Sequence, residues 1–175
     1  ADSLQQNLLE GLIIVAIISL LLISWRAGLA TSLGMATVLL GTIGGIKLIG
    51  YSLNTITLFA LILSLALIVD DATIAAEAID ASQKEGRSKR DTVAYAIKRV
   101  ARATTTGTLV TILAFAPMLF ISGILGSFIK ALPITIILSL ALSLLVSLSI
   151  IPFMARWLIL PAKVKPKHAS FNPII

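Results

Sequence analysis

Two adjacent carboxylates, Asp70 and Asp71, sit inside an apolar run that extends from Asn54 to Asp80. A hydrocarbon core about 30 Å thick takes about 20 apolar residues to cross as a helix. The stretch from Ile56 to Val69 is too short for that. Only by continuing through Ala72, Thr73, Ile74, Ala75, Ala76 and Ile79 does the run reach spanning length. The aspartates are therefore expected within the bilayer, a little to one side of its middle. An ionised Asp at a helix centre costs about 2.5–3.5 kcal/mol on insertion scales, and such residues mark functional positions by default. The bland alternative ends the helix at Val69 and leaves Asp70 as an N-cap in water, which makes the span marginal.

Composition places the rest of the chain in the same setting. Of 175 residues, 58% are apolar and 13% charged, about half the charged share of a soluble domain. Mean hydropathy is +1.04. The expected fold is all-α, a polytopic membrane helix bundle with about five transmembrane helices. Cysteine is absent and His168 is the single histidine. A disulfide frame, a thiolate metal site and a histidine cluster are thereby excluded. A net charge of +6 would suggest nucleic acid in a soluble protein. Here it is read through membrane topology, with the lipid bilayer as partner and no nucleic acid.

In chain order, the first span is expected over about 8–25, with Glu10 near one end and Trp25 and Arg26 marking the other interface. The second runs over about 30–49 and carries Gly41 and Gly45, a GxxxG pair that lets another helix come close. Gly50, Tyr51 and Ser52 form a turn into the aspartate helix, about 54–79. Helical spacing puts Thr57, Ser64 and Asp71 on one stripe, and Asp70, Thr73, Ile74 and Glu77 on its neighbour. Ser64 and Thr57 are equally well explained as interhelical hydrogen-bonding groups. The long polar connection, 81–102, contains seven basic residues and reads as an interfacial amphipathic helix over about 88–101, or as a solvated connector. A fourth span, about 103–121, opens on a cluster of threonines and should kink at Pro117. The turn SGILGSFIK leads to a fifth span, about 133–151, with Ser139, Ser143 and Ser147 as a small-residue seam. Pro152 bends or ends it. Residues 1–161 form the transmembrane unit and 162–175 a basic tail.

Twelve basic residues fall on the side of the long connection and two, Lys47 and Lys130, on the other. The connection and the tail are thus expected in the cytoplasm. An odd number of spans then puts the N-terminus outside, and the acidic start ADSLQQNLLEG has no basic signal-peptide region. At least one upstream helix is expected, and the chain reads as a piece of a larger protein.

Several functions need intramembrane carboxylates. An aspartyl protease needs its pair on two helices flanking a peptide bond; neighbours on one helix point about 100° apart. A proton or cation channel also lines its pore with carboxylates, but conducts without substrate. Two adjacent carboxylates in oil cannot both ionise cheaply unless a cation stands near them. No cation of this chain is expected at that depth, since Lys47 and Lys130 lie toward the outer side.

The stretch SLNTITLFALILSLALIVDDATIAAEAI, Ser52 to Ile79, resembles the aspartate helix of resistance-nodulation-division transporters, in particular the AcrB-like hydrophobe/amphiphile efflux branch. LLEG at Glu10, WRA at Trp25, FAPM at Phe115, LPITI at Leu132 and IIP at Ile150 occur in the family's order. The likeness covers nearly the whole chain, as the second to sixth helices of a first half. It implies proton-driven efflux of amphiphilic or hydrophobic compounds, with Asp70 and Asp71 as proton carriers. Glu77, Thr73, Ser64 and Asn54 become accessory polar positions. It further implies no enzymatic activity, no cofactor beyond protons as coupling ion, and a second transmembrane half supplying a counter-lysine. A homotrimer in the plasma (inner) membrane is implied, with a periplasmic adaptor and an outer-membrane channel where the envelope has two membranes. Ala66 and Ala78 depart from the usual Gly and Asn. Export of metal ions or lipids is the alternative within the superfamily; those branches tend to carry Asp-Ala or Asp-Tyr in place of Asp-Asp.

Overall fold

The computed structural model describes residues 2–22, 25–83 and 89–158. The basic tail and the centre of the long connection, with Lys84 and Arg87, lie outside the described residues. Among the described residues the secondary structure is helical: α1 (Asp2–Leu22), α2 (Trp25–Leu48), α3 (Thr55–Gln83), α4 (Lys89–Phe115), α5 (Gly123–Ile129), α6 (Ala131–Leu145) and α7 (Ile151–Leu158). A 3₁₀ segment, Ala116–Phe120, follows α4, and a π-helical turn, Val146–Ile150, joins α6 to α7. Four stretches are long and apolar enough to cross a membrane: Gly28–Leu48, Thr55–Ile79, Asp91–Phe120 and Ala131–Met154. A shorter apolar stretch, Gln6–Ile18, lies in α1. The protein is a multi-pass membrane helix bundle.

The aspartate helix α3 is the hub, packed against α1, α2, α4, α6 and α7. Its small and branched residues Leu61, Leu65, Ile68, Ala72, Ala75, Ala76 and Ile79 form the middle of the core. Start and stop signals hold it in register. Helix α2 ends in a Schellman motif at Gly50, whose φ of 95° suits glycine. The Tyr51 N–H donates to the Ile46 carbonyl at 2.9 Å and the Gly50 N–H to the Lys47 carbonyl at 3.0 Å. Asn54 then caps α3. Its Oδ1 accepts from the N–H groups of Ile56 (2.9 Å) and Thr57 (3.0 Å), and Thr57 Oγ1 accepts from the Asn54 N–H at 2.8 Å. This reciprocal box satisfies N–H groups that the helix itself cannot. Asn54→Ala is expected to cost about 1 kcal/mol, seen as a lower melting temperature of the detergent-solubilised protein. An unchanged melt would mean the cap is replaced by water without loss.

The glycine face of α2 meets α6. A Cβ on Gly45 would lie 2.6 Å from Leu138 Cδ2, and one on Gly41 3.3 Å from Leu142 Cδ1. The GxxxG pair therefore permits the close approach read from its spacing.

Several boundaries differ from those expected. Trp25 begins α2 rather than closing the first span; no glycine or proline marks that junction, so hydropathy alone could not place it. The interfacial helix and the fourth span are one continuous helix, α4. No breaker stands between Asp91 and Thr106, and the threonines bond back to carbonyls on the same helix, Thr106 to Arg102 at 2.8 Å and Thr108 to Thr104 at 2.9 Å. Pro117 does not kink a continuing α-helix: α4 stops at Phe115 and tightens into the 3₁₀ segment, since proline lacks the N–H and crowds the preceding turn. The expected turn after Ile121 folds as α5. Pro152 does not end the last helix, because the π turn just before it widens the backbone and α7 runs on to Leu158.

Candidate functional site

The two polar stripes of α3 separate cleanly. Thr57, Ser64 and Asp71 are buried, whereas Asp70, Ile74 and Glu77 are exposed and Thr73 is half-buried. Asp70 and Asp71 thus leave the helix about 100° apart into different surroundings. Asp71 stands about 24 Å of helical rise from Thr55 and about 12 Å from Ile79, within the apolar stretch Thr55–Ile79.

Asp71 retains only 8% of its surface. Two other helices bring hydroxyls to it. Ser143 Oγ, from the serine seam of α6, donates to Oδ2 at 3.0 Å. Thr108 Oγ1, from α4, lies 3.3 Å from Oδ1 and 3.4 Å from Oδ2. Thr108 also reaches the Thr104 carbonyl at 2.9 Å, so its single proton has two acceptors to choose between. Hydroxyls donate and accept. When Asp71 is ionised, both hydroxyls can donate to it. When Asp71 is protonated, its O–H can donate to Thr108 while Thr108 turns its proton to Thr104. Both charge states are therefore served without leaving a buried polar atom orphaned. Among the described residues no buried side-chain N or O atom lacks a partner.

Beside this group lies a cavity of about 430 Å³ between α3 and α4. Asp70, Asp71, Arg99, Thr104, Thr108 and Thr111 line it together with Leu67, Ile74 and Leu140. Arg99 changes the expectation about charge: this chain does bring a cation to the aspartate cavity. The sequence put Arg99 on a separate surface helix or in a solvated connector, and only the continuity of α4 puts it on the wall that also carries Thr108.

The other expected positions fall elsewhere. Ser64 is buried and donates to the Leu61 carbonyl at 3.0 Å, so it satisfies itself along its own helix. Asn54 is the helix cap described above. Glu77 lines a second cavity of about 300 Å³ with Ile74, Ala78, Ala81, Arg99 and Val100. Thr108 and Ser143 were visible in the sequence as part of a threonine cluster and a serine seam. Nothing in the spacing showed that one member of each would turn toward Asp71.

The chain is similar to known membrane transporters. The model of the AcrB/AcrD/AcrF family matches residues 2–175. The chain is 30% identical over 166 residues to the toluene efflux pump membrane transporter TtgB of Pseudomonas putida, covering 94% of this chain and 16% of that protein. It is 26% identical over 177 residues to the multidrug resistance protein MdtC of Pectobacterium atrosepticum, covering 100% of this chain and 17% of the relative. With the multidrug export protein AcrF of Escherichia coli it shares 29% identity over 162 residues, 91% of this chain and 16% of the relative. The chain spans about one sixth of the length of these relatives. With a buried acidic hub inside a bundle of spanning helices, and a family match along almost all its length, the chain belongs to the AcrB/AcrD/AcrF family of resistance-nodulation-division efflux transporters.

Proposed function

We propose that this chain supplies the proton-carrying part of a proton-coupled exporter of amphiphilic or hydrophobic compounds, with Asp70 and Asp71 as the carriers. The observation that carries this reading is Asp71, held in an apolar span by two hydroxyls that can serve it charged or neutral. A buried carboxylate with fixed cationic partners would be built for one charge state; this one is built for two. Protons are the coupling ion, no cofactor is needed, and no covalent chemistry is catalysed. The relatives' names, which speak of toluene efflux, multidrug resistance and multidrug export, support the substrate class.

The exporter is completed by a second transmembrane half with its own lysine, by assembly as a homotrimer, and by an adaptor and outer channel where two membranes exist. The basic connection and tail face the cytoplasm in the inner membrane. Glu77 and Thr73 extend the polar face toward that side. One proton moving down 100 mV releases about 2.3 kcal/mol, enough to bias a two-state arrangement of helices.

The test is substrate-dependent proton movement in proteoliposomes holding the complete transporter and a pH dye. An imposed gradient should collapse faster only when substrate is added. Equal collapse without substrate would favour a channel and overturn the antiport reading.

A further inference from the structure

The aspartate cavity and the Glu77 cavity are neighbours. Both are walled by Ile74 of α3 and by Arg99 and Val100 of α4. Together they form a groove along the α3–α4 contact, from Thr108 and Asp71 at one end to Glu77 and Ala81 at the other. Glu77 is six residues past Asp71, about 9 Å of helical rise. Arg99 is the only cation among the described residues lining either chamber, and its side chain is exposed to the groove. Its basic neighbours Lys98 and Arg102 line neither.

We infer that Arg99 is a positioning cation at the neck of this groove, which moves between the aspartate chamber and the Glu77 chamber as the aspartates lose and gain charge. The inference rests on the reading of Asp70 and Asp71 as proton carriers. The charges available to Arg99 decide its direction. Helix α3 offers Asp70, Asp71 and Glu77; α4 carries Asp91, Tyr95, Lys98 and Arg102 on its own length; α6 has no ionisable residue, and neither have Ile151–Met154 of α7. With the pair ionised, the acidic charge beside Arg99 is greatest in the aspartate chamber. The guanidinium is drawn there and fills the neck. Once two protons have neutralised the pair, Glu77 is the remaining anion among the described residues lining the groove. Arg99 then swings outward, and the passage from Asp71 toward the Glu77 end opens. A planar, permanently charged group on a long stem suits such a role. Coupling the open passage to the protonated state lets a proton leave by this groove only after the pair has been loaded.

The test measures substrate-driven proton transport against cytoplasmic pH, in everted vesicles bearing the complete transporter. Arg99→Gln removes the cation that favours the ionised pair. With that cation gone from the groove wall, the pH of half-maximal transport should rise by about one unit. Arg99→Lys should restore most of the wild-type profile. Arg99→Cys, in a complete transporter whose cysteines elsewhere have been replaced, allows the same comparison on assembled protein. A cationic methanethiosulfonate reagent should move the profile back, and a neutral reagent of similar size should not. An Arg99→Gln profile that overlays the wild type, or equal recovery with the neutral reagent, overturns the inference. If Asp70→Asn and Asp71→Asn are inactive while Arg99→Gln behaves as wild type, Arg99 alone loses its role. If the Asn variants pump normally, the reading of the pair falls first.

Discussion

Asp71→Asn in the complete transporter is expected to reduce proton-coupled export to the background of membranes lacking the protein, while leaving the fold intact. Asn has the volume and shape of Asp, and its amide can both donate and accept. Ser143 Oγ and Thr108 Oγ1, at 3.0 and 3.3 Å from the carboxylate oxygens, can pair with it by turning their hydroxyl protons. The melting temperature should therefore stay within a degree or two, since about 1 kcal/mol moves it by only a few degrees in a protein of this size or larger. What the variant lacks is a proton it can release and regain. Asp70→Asn is expected to fail in the same assay, although Asp70 is exposed in this structure and its substitution disturbs no buried contact. The check is substrate efflux and proton movement in the same vesicles, with the amount of folded protein measured alongside. Export at the wild-type rate by either variant would refute its role as a carrier.

The hub of this fold was legible because insertion into oil is demanding. A charged pair in an apolar run admits few placements, and period 3.6 sorted α3 into the two stripes that the structure keeps, one buried and one exposed. The close approach at the GxxxG pair of α2 followed from the same logic, since a missing Cβ matters only where another helix comes near; that the neighbour is α6 did not. What could not be read was which hydroxyls reach Asp71. Thr104, Thr105, Thr106, Thr108 and Thr111 are alike in the sequence. Helix rotation alone decides that Thr108 meets the carboxylate while Thr105 and Thr106 stay exposed. Arg99 was misplaced for a related reason. A run of basic residues resembles a surface connector whenever hydropathy is averaged, and averaging hides the continuity of α4 from Lys89 to Phe115. Of the two readings of Pro152, a bend or an end, the end is the one that fails: a π turn lets the backbone pass it.

The second large effect is expected when the grip on Asp71 is removed rather than Asp71 itself. Thr108→Val and Ser143→Ala together delete both hydroxyls that face the carboxylate, at sites 5% and 2% exposed. Each deletion alone leaves one partner. Both deletions leave a buried carboxyl with none from these helices. Orphaning a buried polar group costs about 1–3 kcal/mol, more if it is charged, so the pair of substitutions should cost about 2–4 kcal/mol and more than the two single losses combined. The decisive comparison repeats the pair of substitutions in an Asp71→Leu background. There the hydroxyls serve no carboxyl, Thr108 has the Thr104 carbonyl to itself, and the same two substitutions should cost less than about 1 kcal/mol. Thermal melts of the four detergent-solubilised proteins give the cycle directly. An equal loss in both backgrounds would make the hydroxyls ordinary packing groups, and their distances to Asp71 would then carry no energetic weight. A large difference would locate in three side chains, on three helices, the energy that lets this bundle keep an acid where lipid should exclude it.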